Sequence, residues 1–363
     1  MWIILDPACG SWWMFVQSAD FIKQNHKSTS NVAIYWQEKT ADTIKIAKMN
    51  LALHGLNWDI KEWLTHQIDH HDSIGKFDFV MANPPFNMSR IDKEKIKDDK
   101  RYPYWLPSND NWNYLWIQIF ASCLNSNWRA GFVMANSASD ARSSEAEIRK
   151  NLIQNNIVDV MVSVWPNMFF NVTLPCTLWF FDKQKINTLR KDTILFLDIK
   201  HIFRQIDRAH RDLTEEQIEY IASIVKLYRN EEVNFDKYIN SQINIIKSEI
   251  SEFGNSKEEQ QAKSLTEERL KIAKNLETNW QENFANGYAD IKWLCKIANT
   301  EEVEKQWYSL NAGRYVWVAV WEVDDYVFEE KLEELNEEFV TLTNEAHELE
   351  KSIFENIGAL LGK

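Results

Sequence analysis

The chain has 363 residues, 45% hydrophobic and 26% charged, which suits a globular protein of one large domain or two. A net charge of −13 excludes a self-sufficient nucleic-acid clamp, since phosphate binding needs positive charge that a local basic patch or a partner would have to supply. The four scattered cysteines (Cys9, Cys123, Cys176, Cys295) fit a reducing cytoplasm and argue against zinc, no signal peptide precedes the fold, and no apolar run reaches the roughly 18 residues of a membrane span.

In chain order, "WIILD" (2–6) reads as a buried strand and "MFVQSADFIKQN" (14–25) as a helix. "NVAIY" (31–35) is a second strand, and "ADTIKIAKMNLALHG" (41–55) an amphipathic helix with Gly55 placed to cap it. "FDFVMA" (77–82) is a strand followed by the loop "NPPFN". A helix at 113–124, a strand at 130–136 and a helix at 144–155 come next. Strands follow at 158–164, 176–182 and 193–199. This alternation predicts an α/β fold, a mainly parallel sheet with helices on both faces. Ligands of such sheets sit at the carboxyl ends of the strands, where the strand order reverses.

After a helix at 215–230 the character changes. Residues 231–285 are charged and helix-prone, and "YSLNAGRYVWVAV" (308–320) reads as a short β element. Three regions are expected: 1–230 as the main α/β domain, 231–327 as a charged helical insertion, and 328–363 as one long helix. On that helix Leu332, Leu335, Phe339, Leu342, Ala346, Leu349, Ile353 and Leu360 form a heptad seam. The seam packs on its own domain or on a partner helix.

Two loops carry chemistry. "DPACGS" (6–11) follows a strand and opens a helix, and it resembles the first motif of S-adenosylmethionine-dependent methyltransferases. Asp6, Pro7, Ala8, Cys9, Gly10, Ser11 and Trp12 would line the cofactor, with Gly10 letting the backbone approach it closely. Glu38, after the second strand, either accepts bonds from ribose hydroxyls or is a solvated surface glutamate. "NPPF", Asn83, Pro84, Pro85 and Phe86, is the sharper signal. An exocyclic amine on an aromatic base is a poor nucleophile because its lone pair is delocalised. It needs two acceptors aimed at its N–H bonds, which draw the nitrogen toward tetrahedral geometry and stabilise the developing positive charge. The Asn83 side-chain oxygen and the Pro84 carbonyl supply them, two prolines hold the carbonyl in place, and Phe86 offers a stacking face for a flipped base. Phe169 or Phe170 would be a second aromatic wall, or both belong to the core. The basic run at 90–101 is interleaved with acids and reads as a solvated loop.

Together the series "DPACGS…IYWQE…FDFVMANPPFN…NDNWNYLWIQ…RAGFVMANSASD…NVTLPCTLWFFDK…RQIDRAHRDLT" resembles the modification (M) subunit of type I restriction–modification systems, a family of N6-adenine DNA methyltransferases. The resemblance runs from about Ile4 to Asn230. It implies a Rossmann-like S-adenosylmethionine-dependent methyltransferase sheet with a C-terminal helical extension. It also implies S-adenosylmethionine as methyl donor, DNA with a flipped adenine as substrate, and assembly with a specificity and a restriction subunit. Delegated sequence readout would explain the acidic charge. The resemblance also implies a helical N-terminal domain and a further cofactor-binding motif ahead of "DPACGS"; neither is read in this sequence, which would make the chain a fragment. An inactive scaffold of such a complex and, in related chemistry, a protein glutamine methyltransferase are the alternatives.

One departure is systematic. The family pattern Gly-Ser-Gly-Gly here reads Gly-Ser-Trp-Trp, and similar swaps stand at Trp36, Trp105, Trp128, Trp165 and Trp317, with Trp2, Trp112 and Trp293 weaker cases. Trp116 and Trp179 lie where the family also has tryptophan. The chain has 9 glycines and 17 tryptophans. Glycine and tryptophan together make up about 7% of it, the usual share of glycine alone. This balance is expected if many of these tryptophans are glycine codons read with the wrong table, UGA being glycine in one genetic code and tryptophan in another.

Overall fold

The structure, a computed structural model, describes residues 2–8, 14, 17–18, 22, 32–38, 41–54, 57–62, 68–89, 92–107, 112–166, 168, 174–206, 211–254, 256–316 and 343. Two units divide the chain, Met1–Val318 and Ala319–Lys363. Most of the helix expected from residue 328, all but residue 343, and most of the one expected over 14–25 lie outside the described residues.

The apolar runs of the first half form strands β1 (Trp2–Asp6), β2 (Val32–Glu38), β3 (Asn57–Glu62), β4 (Phe77–Ala82) and β5 (Leu124–Ala135). Strands β6 (Val158–Ser163), β7 (Cys176–Asp182) and β8 (Thr193–Asp198) follow. A last strand, β9 (Cys295–Asn299), joins them from far down the chain. The sheet order is β9-β8-β6-β7-β5-β4-β1-β2-β3. β1, β2, β3, β4 and β5 pair in parallel, as do β6 and β8. β7 is antiparallel to both neighbours, and β9 to β8. The sheet is therefore mainly parallel, as expected. β3 was not expected: "NWDIKE" has no apolar run, and as an edge strand it pairs with β2 alone.

Helices cover both faces, and period-two alternation sorts the side chains between them. On β6, Met161 joins one apolar cluster while Val160 and Val162 join another; on β8, Ile194 and Phe196 oppose Leu195 and Leu197. The first face is covered by α1's neighbours in sequence, α2 (Asn113–Cys123) and α3 (Ser144–Gln154), α1 itself being Ala41–His54. The second is covered by α4 (Glu215–Tyr228), α5 (Phe235–Glu252) and α6 (Lys257–Asn283). Capping boxes start α4 (Thr214 with Gln217) and α6 (Ser256 with Glu259). Within the residues expected as a charged insertion, α5 and α6 are helical over 235–252 and 257–283, and they pack in one apolar cluster with the sheet through Phe235, Ile239, Ile243, Leu276 and Trp280. Each such buried side chain contributes about 1.5–3 kcal/mol.

The short β element expected over 308–320 is not formed in the described part of that range. Gly313–Val316 is one turn of helix instead, and the strand of this region is β9. Tertiary packing overrides the β-prone sequence: Tyr315 stacks on Phe196 with ring centroids 3.9 Å apart, and its hydroxyl donates to the Ser309 carbonyl at 2.5 Å.

At the amino ends of β6 and β8 lies a buried ionic cluster. Asp159 receives Arg190 and, at 3.0 and 2.8 Å, Arg229. Arg190 also reaches Asp182 at 2.9 Å, and Asp182 takes Arg129 at 3.0 Å. Lys185 is buried beside them and donates to the Val158 carbonyl at 2.5 Å.

Candidate functional site

The strand order turns back at β1. The chain lays β2 and β3 to one side of it, then returns to place β4 on the other. This is the switch point at which a doubly wound sheet opens a crevice at its carboxyl edge. Leu5 pairs with Val80, so the end of β1 and the loop after β4 sit side by side at that edge. The register Asp6–Trp36 sets the end of β2 beside them, with Glu38 two residues further along. Asp6, Glu38 and Asn83 thus terminate three adjacent parallel strands.

Asp6 is buried, at 2% exposure, and its Oδ1 accepts the Ala8 backbone N–H at 2.9 Å. The carboxylate thereby fixes the start of the turn, with Pro7 buried behind it. Cys9, Gly10, Ser11, Trp12 and Trp13 lie outside the described residues, as do Phe169, Phe170 and the Glu38 side chain. Trp36 is fully buried among Ile4, Val32, Ile34 and Ala47, and its carbonyl accepts His71 Nε2–H at 2.9 Å.

Beyond Ala82 the chain leaves the sheet as Asn83–Phe86. Asn83 and Pro85 are exposed, Pro84 is buried, and Phe86 is half-buried against the cluster of the second face. The Asn83 amide is therefore solvent-accessible at the carboxyl edge, and the two prolines after it stiffen the backbone. Asn87 then takes a left-handed conformation, φ +53°. Its N–H donates to Asn113 Oδ1, and Asn113 Nδ2–H donates to Asn87 Oδ1, both at 2.9 Å. The Trp112 N–H donates to the Met88 carbonyl at 3.0 Å. This pairing was not foreseen from the sequence. Its signal was there: Asn113 opens a helix in which only Ser122 escapes burial, and a buried amide requires partners.

The same edge holds a polar cluster after β5. Thr177 Oγ1 donates to Asn136 Oδ1 at 2.9 Å, and the Asn136 N–H donates to the Pro175 carbonyl at 2.9 Å. Burial pushes the Cys176 thiol at this edge up to about 11, which removes it as a nucleophile near neutral pH. No group of three or more metal-ligating side chains occurs among the described residues, and none of their helices is long and apolar enough to cross a membrane. The arrangement offers hydrogen-bond acceptors on a stiff loop next to a strand-end turn.

Comparison with known proteins agrees. Residues 2–252 match the N-6 DNA methylase family. The chain is 32% identical to the type I restriction enzyme MjaIX methylase subunit of Methanocaldococcus jannaschii, over 98% of this chain and 55% of that protein. It is 31% identical to the type I restriction enzyme HindI methylase subunit of Haemophilus influenzae, over 98% of this chain and 68% of that one. The methyltransferase subunit of a type I restriction–modification system from Streptococcus thermophilus shares the fold, with 19% identity and a TM-score of 0.61 over 87% of this chain and 54% of that one. The chain therefore spans 55% and 68% of the length of these two curated relatives. With a family match over residues 2–252 and relatives 32% and 31% identical over 98% of its length, the chain belongs to the N-6 DNA methylase family.

Proposed function

We propose that the chain is the modification subunit of a type I restriction–modification complex and transfers a methyl group to N6 of adenine in DNA. The observation that carries this reading is the Asn83–Phe86 loop, outward-facing at the end of β4 and beside the Asp6 turn. S-adenosylmethionine supplies the methyl group as a sulfonium electrophile when bound. The buried Asp6 carboxylate, already turning the chain toward the crevice, fits such a ligand, with Gly10 as the point of close backbone approach and Glu38 at the ribose.

Asn83 Oδ1 and the Pro84 carbonyl accept the two N6–H bonds of an adenine extruded from the duplex. As the nitrogen bonds to the methyl group it becomes cationic, and both acceptors strengthen as the charge grows, which is where catalysis gains. No strong base is required, because the proton is acidic once the nitrogen carries positive charge. Phe86 stacks on the base, with Phe169 or Phe170 as an opposing wall. Sequence readout, DNA positioning and the countercharge that an acidic chain lacks come from a specificity subunit. A restriction subunit completes the complex.

The test compares the chain with Asn83→Ala, each assembled with the specificity subunit, using cofactor titration and quantification of N6-methyladenine in DNA. Asn83→Ala is expected to bind the cofactor normally and to lose about 10²–10³ in rate, the usual effect of deleting one such polar group. Undiminished methylation by Asn83→Ala, or methyl groups appearing on protein rather than on adenine, overturns the reading.

A further inference from the structure

We propose that Asn113 is the positioning residue of the Asn83–Phe86 loop, an inference that rests on the methyl-transfer reading of that loop. The loop enters from β4, where Met81 and Ala82 pair with Gly131 and Phe132, so its first end is fixed by the sheet. Its second end has no sheet to hold it. There Asn87 must adopt a positive φ, and the two-way bond with the buried Asn113 amide holds it in place. The Trp112 N–H, at the head of the same helix, holds Met88 one residue on. Between the two fixed ends, Pro84 and Pro85 leave little torsional freedom. Acceptors that act on a developing charge must hold their place to a fraction of an ångström, and fixing both ends does this before substrate arrives. Gln118, five residues further along the same helix, accepts the Tyr104 N–H at 3.0 Å and donates to the Trp105 carbonyl at 2.9 Å, so α2 holds the excursion from 83 to 107 near both of its ends.

The test uses Asn113→Leu, which removes both bonds while keeping the same γ-branched heavy-atom skeleton, and Asn113→Asp, which keeps an acceptor for the Asn87 N–H. The readouts are kcat, the cofactor dissociation constant and hydrogen exchange at the Asn87 amide. Asn113→Leu should lower kcat about tenfold or more, the equivalent of the two hydrogen bonds lost. It should speed exchange at Asn87 and leave cofactor affinity within about twofold, since the cofactor turn lies on β1. Asn113→Asp should recover most of the rate. An unchanged kcat with a deprotected Asn87 overturns the proposal, as does a cofactor affinity that falls in step with kcat. Should Asn113→Leu fail to fold, Asn87→Ala repeats the test from the exposed side of the pair. An active Asn83→Ala would instead defeat the underlying reading, so the two failures are distinct.

Backbone angles carry a second inference independently. Trp105, Trp293 and Trp307 have φ of +73°, +72° and +57°, the left-handed region that glycine enters freely and a bulky residue does not. Trp105 and Trp307 are 81% and 84% exposed, so packing does not explain them. Trp116 and Trp179 are buried, and neither is among the positive-φ residues. We infer that positions 105, 293 and 307, and with them 12 and 13 in the cofactor turn, carry glycine in the functional protein, while 116 and 179 are true tryptophans. The codons of the gene and the masses of peptides from the protein isolated from its own organism decide this. UGA codons and glycine-containing peptides at 105, 293, 307, 12 and 13, against UGG at 116 and 179, are expected. UGG or tryptophan-containing peptides at 105, 293 and 307 overturn it.

Discussion

Asp159→Leu is a direct test of what ties α4 to the sheet. Asp159 is fully buried on β6, and its two oxygens receive Arg190 and Arg229, whose side chains are only 8% and 13% exposed. Removing the carboxylate strands two guanidinium groups against apolar surface. Breaking a buried pair on one side costs about 3–5 kcal/mol. Arg190 retains Asp182, so the low end applies, about 3 kcal/mol. At roughly 2–4 °C per kcal/mol for a large domain, Tm should fall by about 6–12 °C. Urea unfolding followed by circular dichroism should show a lower midpoint at constant slope. Replacing the group together, Asp159→Leu with Arg190→Met and Arg229→Met, should recover much of the loss, because the penalty is for an unpaired charge. A single variant within about 1 kcal/mol of the parent would refute the reasoning, since such a cost is typical of a solvated surface pair.

Acid should destabilise the fold through Asp182 and Glu216. Hydrogen bonds from Arg190 and Arg129 to Asp182, and from Arg269 to Glu216, outweigh burial and hold both carboxyls below their ordinary values. The unfolded chain then binds more protons in acid. The contribution is complete above the unfolded carboxylate range, near ~4, and is lost as pH falls through the folded values; a urea midpoint unchanged between neutral pH and strong acid would contradict this. Lys185 shifts stability in the same direction but in alkali: burial lowers its ammonium to about 8, from an ordinary 10.5, so its penalty is full below 8 and fades as pH rises toward 10.5. Lys185→Met should therefore stabilise the protein at pH 7 and lose that advantage in alkali, which paired urea titrations would check. Trp307→Gly should raise Tm slightly, because a left-handed bulky residue costs roughly 1–2 kcal/mol and glycine's flexibility returns about 0.5–1 of it; a lower Tm would count against a glycine position there.

Much of the fold was legible because its strands are buried on both faces and read as short apolar runs between turn signals. "FDFVMA" and "CTLWFFD" match β4 and β7 end to end. The failures have physical causes. β3 borrows its structure from pairing with β2 rather than from its own composition, and the segment around Tyr315 is bent into a helical turn by stacking on Phe196. The site was legible as two loops, since Asp-Pro and Asn-Pro-Pro punctuate strand ends. The contact that joins Asn87 to Asn113 spans a long excursion that no local periodicity encodes. Likewise φ at Trp105 or Trp307 is a property of the folded turn, which composition alone hinted at through scarce glycine.

The pairing of β9 with β8 bears on how the chain reaches this state. β8, "TILFLD", is finished early in synthesis, yet the partner that covers its outer edge is not made until Cys295–Asn299. Until then an apolar strand presents open backbone groups, the kind of edge that recruits neighbouring chains into aggregates. The intervening helices α4, α5 and α6 have local contacts and form without waiting. Closure of the sheet is thus a late, long-range step. A ribosome-bound intermediate that stops before β9 is where this protein is most exposed to misassembly.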